Sequence, residues 1–351
     1  MLPAASRQRW PLSAVLGGLL VLGCLFPPAA PARPSGAAAD EAGTAPTPQR
    51  VRAAFVAIAS SMLPAWIAKD EGLYARYGLE VELAYVSGAA KIAEALLAGE
   101  LDVGIAPATS AFGPGLEGAD TVMLASWANK LGFSALVQPG LQTVADLRGK
   151  RVGVSRRGSN SEIWAAAVLG SFGLEPERDY TVLSIGGQSE QLAALQNGAI
   201  DVAIMTPPLN LRARQLGFRE LLSYRDYSLE FANVGLVSTR RYLREQPAAV
   251  DRLLRALAEG TAIMLQQPET ALAVLTRYTQ VEERDLLEET LAFEQSRTSR
   301  DLLPTPAGLR AALDELVATN PKAATATPEA FVALEPIQLL NASGFIASLY
   351  R

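Results

Sequence analysis

Hydrophobic and polar positions alternate along this chain in two distinct rhythms. Between residues 51 and 238, short apolar runs of about four to eight residues recur. Each is bounded by turn-forming residues and followed by a stretch with helical spacing. The first set predicts strands at 51–58, 80–86, 102–106 and near 121–126. Helices are expected at 64–77 and from Ser87-Gly88 to Ala98. A second set follows Leu147, with strands 151–155, 180–185 and 201–205 and helices 160–172, 188–196 and 207–216. Strands separated by helices of this length imply parallel βαβ units with helices on both sheet faces. From about residue 240 the rhythm turns almost wholly helical, over 247–266, 268–278, 281–293 and 306–318.

The two sets echo each other. Ala95–Ile105 aligns without gaps with Ala194–Ile204, and Ser87-Gly88 falls opposite Gly186-Gly187 at the same offset. Each copy reads strand, glycine turn, helix, Gly cap, Asp, strand. The spacing is too long for a solenoid, whose period is roughly 20–50 residues, and suggests two similar α/β lobes. Asp102 and Asp201 occupy the same place in the echo. Both precede their strand, so they are expected as turn or cap residues at the end of the sheet away from a ligand, not as acids.

Composition narrows the chemistry. The 351 residues fit about two domains at roughly 100–200 each. With 31 basic against 36 acidic residues the chain lacks the broad basic surface that nonspecific nucleic-acid binding needs. Histidine is absent, which excludes a Ser–His–Asp triad, a His-ligated zinc site and a histidine base. The single cysteine, Cys24, permits no intrachain disulfide and no cysteine metal cluster, and no cofactor or metal is expected.

Cys24 sits in a telling place. Arg7 and Arg9 precede an apolar run from Leu12 to Phe26, and a Pro/Ala-rich stretch follows. This is the layout of a secretory signal. Two cleavage readings compete: lipidation at Cys24 within Val21-Leu22-Gly23-Cys24, or ordinary processing at Ala30-Pro31-Ala32 or Ala37-Ala38-Ala39. Residues 1–32 are therefore read as a signal peptide and 33–50 as a flexible linker. The expected destination is the periplasm or the outer face of the cytoplasmic membrane.

Several stretches carry a family likeness. They are Ala68–Leu79 (AKDEGLYARYGL), Leu97–Ile105, Val144–Val154 (VADLRGKRVGV), Gly158–Ser161 and Ala194–Pro208. Over residues 51–295 the chain resembles the solute-binding proteins of ABC importers in the nitrate/sulfonate/taurine group, which share a fold with thiamine-pyrimidine precursor proteins. The resemblance implies a type II periplasmic binding protein: two Rossmann-like α/β lobes joined by two hinge strands, with a helical C-terminal part. The hinges are expected at 132–138 and 231–238. Lobe one would be 51–132 plus 239–335, lobe two 139–230, and 336–351 a C-terminal helix. The implied partners are a small-molecule solute and the permease and ATPase subunits of an importer, with the protein itself a monomer.

In open α/β lobes, ligands sit where loops leave the carboxyl ends of the strands. Short polar residues recur at those loops: Ser60 and Ser61, Ser87 and Gly88, Thr109 and Ser110, then Arg156-Arg157-Gly158-Ser159-Asn160-Ser161, and Thr206 before Pro207. Backbone N–H groups at a helix start, with hydroxyl donors beside them, favour an anion. Ser159 and Glu162 also fit a capping box, and Thr206 fits an N-cap with Pro207 in the first turn. Arg156 offers a cation. Trp127 offers an aromatic face for a flat ligand, or packing beneath the hinge. Gly113-Pro114-Gly115 is expected to break the helix after Ser110 and to displace that loop. An exported receptor for a small anion is the reading these residues favour. An exported sensor for a membrane kinase would use the same cleft, and an enzyme on this fold would have to work without histidine.

Overall fold

The computed structural model describes residues 48–351. The signal segment, Cys24 and the tether up to residue 47 lie outside the described residues. The first lobe is built from β1 (Gln49–Phe55), α1 (Leu63–Asp70), α2 (Leu73–Arg76), β2 (Leu79–Tyr85), α3 (Ala89–Ala98), β3 (Val103–Ala106), α4 (Thr109–Leu116) and β4 (Thr121–Gly132). The second takes β5 (Ser134–Val137), β6 (Arg151–Val154), α5 (Asn160–Ser171), β7 (Thr181–Ser184), α6 (Gln188–Gln196), β8 (Val202–Met205), α7 (Leu209–Gln215) and β9 (Arg219–Leu222). The chain then returns through β10 (Ser228–Thr239) to α8 (Arg240–Glu245), α9 (Pro247–Gln266), α10 (Pro268–Thr279), α11 (Arg284–Arg297), α12 (Pro306–Leu316), α13 (Glu335–Ala342) and α14 (Phe345–Ser348).

Two five-stranded sheets result, in the orders β2-β1-β3-β10-β4 and β7-β6-β8-β5-β9. The orders superpose position by position. In each, three parallel strands are followed by an antiparallel strand that has just crossed from the other lobe. The crossings occur at Gly132-Phe133 and over residues 223–227. The first lies at the start of the expected 132–138 stretch and the second lies before 231–238; the rest of both stretches is the buried strands β5 and β10. An apolar run marks where a strand is covered on both faces, not where the chain bridges two bodies.

The sequence echo has a physical cause at the end of each sheet where β3 and β8 begin. Gly99 and Gly198 close α3 and α6 with φ of 71° and 68°, a left-handed turn that glycine adopts without steric cost. The turn delivers Asp102 to Arg52 on β1, and Asp201 to Arg151 on β6. Arg52 donates Nη2 to Asp102 Oδ1 at 2.6 Å and Nη1 to the Gly99 carbonyl at 2.7 Å. Arg151 repeats this with Asp201 at 2.9 Å and the Gly198 carbonyl at 2.7 Å. The backbone N–H of each arginine also donates to its aspartate, at 2.7 and 2.8 Å. Each pair therefore ties the helix–strand turn to the neighbouring strand.

Other expectations shift in detail. Strand β1 begins at Gln49, inside the expected linker, because Gln49 and Arg50 pair in register with Leu79 and Glu80. The helix expected over 64–77 is two helices, interrupted at Gly72. Gly113-Pro114-Gly115 does not break α4, which continues to Leu116. Pro114 lies near the end of this short helix, so little hydrogen-bonded helix follows it. Gly115 is required by packing, since a Cβ there would stand 2.6 Å from the Phe331 ring. The C-terminal helix expected over 336–351 is instead α13 and α14, separated by Gly344 at φ 78°.

Replacing Asp102 or Asp201 with Asn should lower the thermal midpoint while leaving solute affinity unchanged. Arg151 holds the Asp201 carboxyl below its ordinary range through their hydrogen bonds. That contribution is complete above about pH 4, the unfolded value, and is lost as pH falls through the lowered folded value. Melting curves across acid pH should therefore be less pH-sensitive for Asp201→Asn than for the wild type.

Candidate functional site

The turn from β6 into α5 is the most densely bonded of the loops at the carboxyl ends of the strands. Ser159 is the N-cap residue, but its side chain does not cap the helix. Its Oγ lies 2.9 Å from Ser161 Oγ, which in turn accepts the Ser155 N–H at 3.0 Å. Glu162 closes the turn from the other side, accepting the Gly158 N–H at 2.5 Å and meeting Arg157 at 3.2 Å. The capping box expected from Ser159 and Glu162 is thus absent: Ser159 Oγ caps no first-turn N–H, and Glu162 takes the Gly158 N–H in place of that of Ser159. The first-turn N–H groups of α5 consequently have no side-chain cap, and such groups favour an anion. Asn160 reaches out of the turn to the first lobe, where its Nδ2 donates to Asn233 Oδ1 on β10 at 2.8 Å.

Elsewhere in the second lobe, Thr206 does not act as an N-cap. Helix α7 starts only at Leu209, with Pro208 as its N-cap residue. Thr206 instead pairs with Gln188 at the start of α6. Its N–H donates to Gln188 Oε1 at 2.8 Å, and its Oγ1 accepts from Gln188 Nε2 at 2.9 Å. The two remaining loops of this lobe are locked together.

The first lobe uses several expected residues for structure. Ser60 donates to Glu294 Oε1 at 2.7 Å, and Glu294 forms a buried pair with Arg297 at 2.9 Å. Arg297 also donates to the Lys130 carbonyl at 2.8 Å and lies over the Phe293 ring. Ser61 contributes its carbonyl to the Trp127 indole N–H at 2.9 Å. Trp127 is buried in the core, so it supports the Ser60-Ser61 loop from beneath and offers no face for stacking. Ser87 and Gly88 are exposed, with Gly88 at the N-cap position of α3.

Thr109 and Ser110 begin α4 and line a cleft of about 390 Å³. Arg156, Arg157 and Gly158 form the second-lobe side of this cleft, and Glu315 and Leu316 at the end of α12 complete it. Arg157 is occupied by Glu162 and Glu177, while Arg156 makes no ion pair among the described residues. Burial pushes the Glu315 carboxyl up to about 7, with Arg156 opposing that shift. The structure therefore gathers Thr109, Ser110 and Arg156 around one cavity, with Asn160 tied across the lobes close by in sequence. It commits Ser60, Ser61, Trp127 and Thr206 to neighbouring side chains or backbone. Sequence reasoning missed Asn233, Gln188, Glu294 and Glu315. Asn233 interrupts an apolar strand, which is a visible signal, whereas Glu294 shares its helix with Asp285, Glu288 and Glu289 and Glu315 follows the exposed Asp314, so neither stands out.

The pair beneath Ser60 can be tested directly. Glu294→Ala leaves Arg297 buried without its carboxylate, a change that typically costs about 3–5 kcal/mol. Urea denaturation should show a loss of that order, and Ser60→Ala should cost much less.

Comparisons with known proteins place this geometry in a family. A protein of Brucella abortus (strain 2308), named a binding protein without a stated solute, is 26% identical over 244 residues, covering 68% of this chain and 73% of that protein. The periplasmic aliphatic sulphonate binding protein SsuA of Escherichia coli shares the fold with a TM-score of 0.66 at 20% identity, over 82% of this chain and 92% of that one. The periplasmic nitrate-binding protein NrtA of Synechocystis PCC 6803 does so with a TM-score of 0.68 at 16% identity, over 88% and 92%. The fold is thus that of the periplasmic binding proteins. The NMT1/THI5-like family model matches residues 59–271, and the chain belongs to that family.

Proposed function

We propose that this protein is the exported solute-binding component of an ABC importer, holding a small anionic solute between its lobes and delivering it to a membrane permease. The observation that carries the reading is the cleft shared by the two lobes, with α4 and α12 on one wall and the Arg156–Gly158 turn on the other. A solute there touches both bodies at once, so binding favours the arrangement in which they are close. The Asn160–Asn233 bond is the protein's own contact in that arrangement.

The choice of an anion follows from the second-lobe turn. Arg156 brings a cation without an ion-paired carboxylate, and α5 presents a helix start without a side-chain cap. Hydrogen bonds to a charged group contribute about 1.5–3 kcal/mol each, so three strong ones, about 9 kcal/mol, are of the size that micromolar binding of a small anion needs. Sulfonates, carboxylates and nitrate meet this requirement. Export rests on the signal-like segment before residue 33, with Cys24 as the lipid anchor if cleavage occurs there. Delivery to a permease fits these features better than catalysis, because the histidine-free cleft offers one group raised to about 7, Glu315, with no hydrogen-bonded partner to form an acid–base pair.

Calorimetry against a panel of alkanesulfonates, short carboxylates and nitrate tests the reading. At least one member should bind the wild type. Asn160→Ala, Ser161→Ala and Asn233→Ala should each weaken it on the order of tenfold, equivalent to about 1.4 kcal/mol. Wild-type affinity in all three folded variants would mean that this turn is structural and that the solute is held elsewhere.

A further inference from the structure

A second cavity of about 390 Å³ lies against the two crossings between the lobes. It shares no lining residue with the cleft. Lys130 and Gly132, at the end of β4, form one side, and Tyr224 and Arg225 of the return crossing form another. Phe293 and Arg297 on α11 complete it. Lys130 and Gly132 are two residues apart on a strand and so share one face of the sheet. A Cβ at position 132 would stand 3.1 Å from the Phe293 ring, so glycine lets the ring close onto the strand where it leaves the first lobe.

Every charged residue lining this cavity is basic. The Arg297 side chain is only 8% exposed. A guanidinium carries five N–H donors. Glu294 accepts two from Arg297 and the Lys130 carbonyl accepts one, which leaves two donors in a group withdrawn from water. Arg225 is held by Glu289 on α11 and lies 4.8 Å from the centre of the Tyr224 ring. Lys130 makes no ion pair among the described residues, and Glu230, opposite it across the sheet, accepts from Thr305 Oγ1 at 2.7 Å instead. The carboxylates nearest these cations, Glu230, Glu289 and Glu294, stand outside the cavity lining. The cavity therefore presents positive charge on two sides.

Its third side is aromatic. Tyr224 and Phe293 are buried and meet edge to face, with ring centres 4.6 Å apart. The volume falls within the range of small-molecule pockets, about 300–1,000 Å³. An inorganic ion meets the cations but leaves this apolar wall against water, whereas a planar apolar body covers it. We propose that the cavity is a second binding site, distinct from the cleft, for a small aromatic carboxylate. Its carboxylate meets Lys130 and the two remaining donors of Arg297, and its ring lies against Tyr224 and Phe293. The occupant touches both crossings, the two segments about which the lobes move.

Benzoate is the probe, titrated by calorimetry into the full chain, with benzamide as its uncharged analogue and acetate as the anion without a ring. Benzoate should bind, and each control should bind roughly tenfold more weakly or less, the difference made by one charge-assisted hydrogen bond or by the lost ring contact. Arg156→Gln removes the cleft's cation and should leave benzoate affinity unchanged. Lys130→Met should weaken benzoate on the order of tenfold. Ala292→Phe, which fills the cavity from an exposed position on α11, should abolish binding, with melting curves to confirm folding. If Ala292→Phe does not fold, Lys130→Met decides alone. Absence of benzoate binding, benzamide binding as tightly as benzoate, wild-type affinity in either folded cavity variant, or binding lost in Arg156→Gln would overturn the second site.

Discussion

The pairing of Arg52 with Asp102, and of Arg151 with Asp201, fixes the height of β1 and β6 against the helix turns that feed β3 and β8. Each arginine lies 50 residues before its aspartate, and each also holds the carbonyl of a left-handed glycine. The amino end of β3 and β8 is locked in this way, and the cleft lies at the opposite end, where the strands release their loops. The cleft inherits its position from that constraint. The loops after β2, β3 and β6 open toward it because parallel strands all point the same way.

Much of this was legible in the sequence. The alternation of short strands and helices, the echo between Ala95–Ile105 and Ala194–Ile204, and the helical tail after residue 240 all follow from periodicity and glycine placement. The order of strands and helices was placed well, whereas the caps expected at Ser159 and Thr206 and the residues tied by long-range contacts were not. Arg52 and Arg151 escaped notice because an arginine near a strand start looks solvated until its partner is known. The apolar stretches 132–138 and 231–238 took in most of β5 and β10 beside the crossings, since apolarity reports burial and burial is greatest inside a sheet. The Gly113-Pro114-Gly115 helix survives because Gly115 makes room for Phe331, a contact separated by more than two hundred residues.

The site shows the same division. Hydroxyls at the loop positions were found from sequence, but their roles depend on which acid or amide folding brings to them. Ser60 is absorbed by Glu294, Thr206 by Gln188, and Ser159 by Ser161. Ser110 is distinguished by being buried without such a partner. A polar side chain already satisfied within the protein must give up a bond to hold a ligand, whereas an orphan gains one. The buried Glu294–Arg297 pair belongs to the supporting layer. It fixes the Ser60 loop and reaches the Lys130 carbonyl near the crossing at Gly132.

The central claim is that the solute is held between two bodies that approach one another about the crossings at 132–133 and 223–227. Small-angle X-ray scattering on the monodisperse protein tests this most directly, with and without a saturating solute identified by calorimetry. The account predicts a smaller radius of gyration in the bound state, with Asn233→Ala giving a larger radius than wild type in the unbound state. An identical radius with and without solute, in wild type and variant alike, would contradict it.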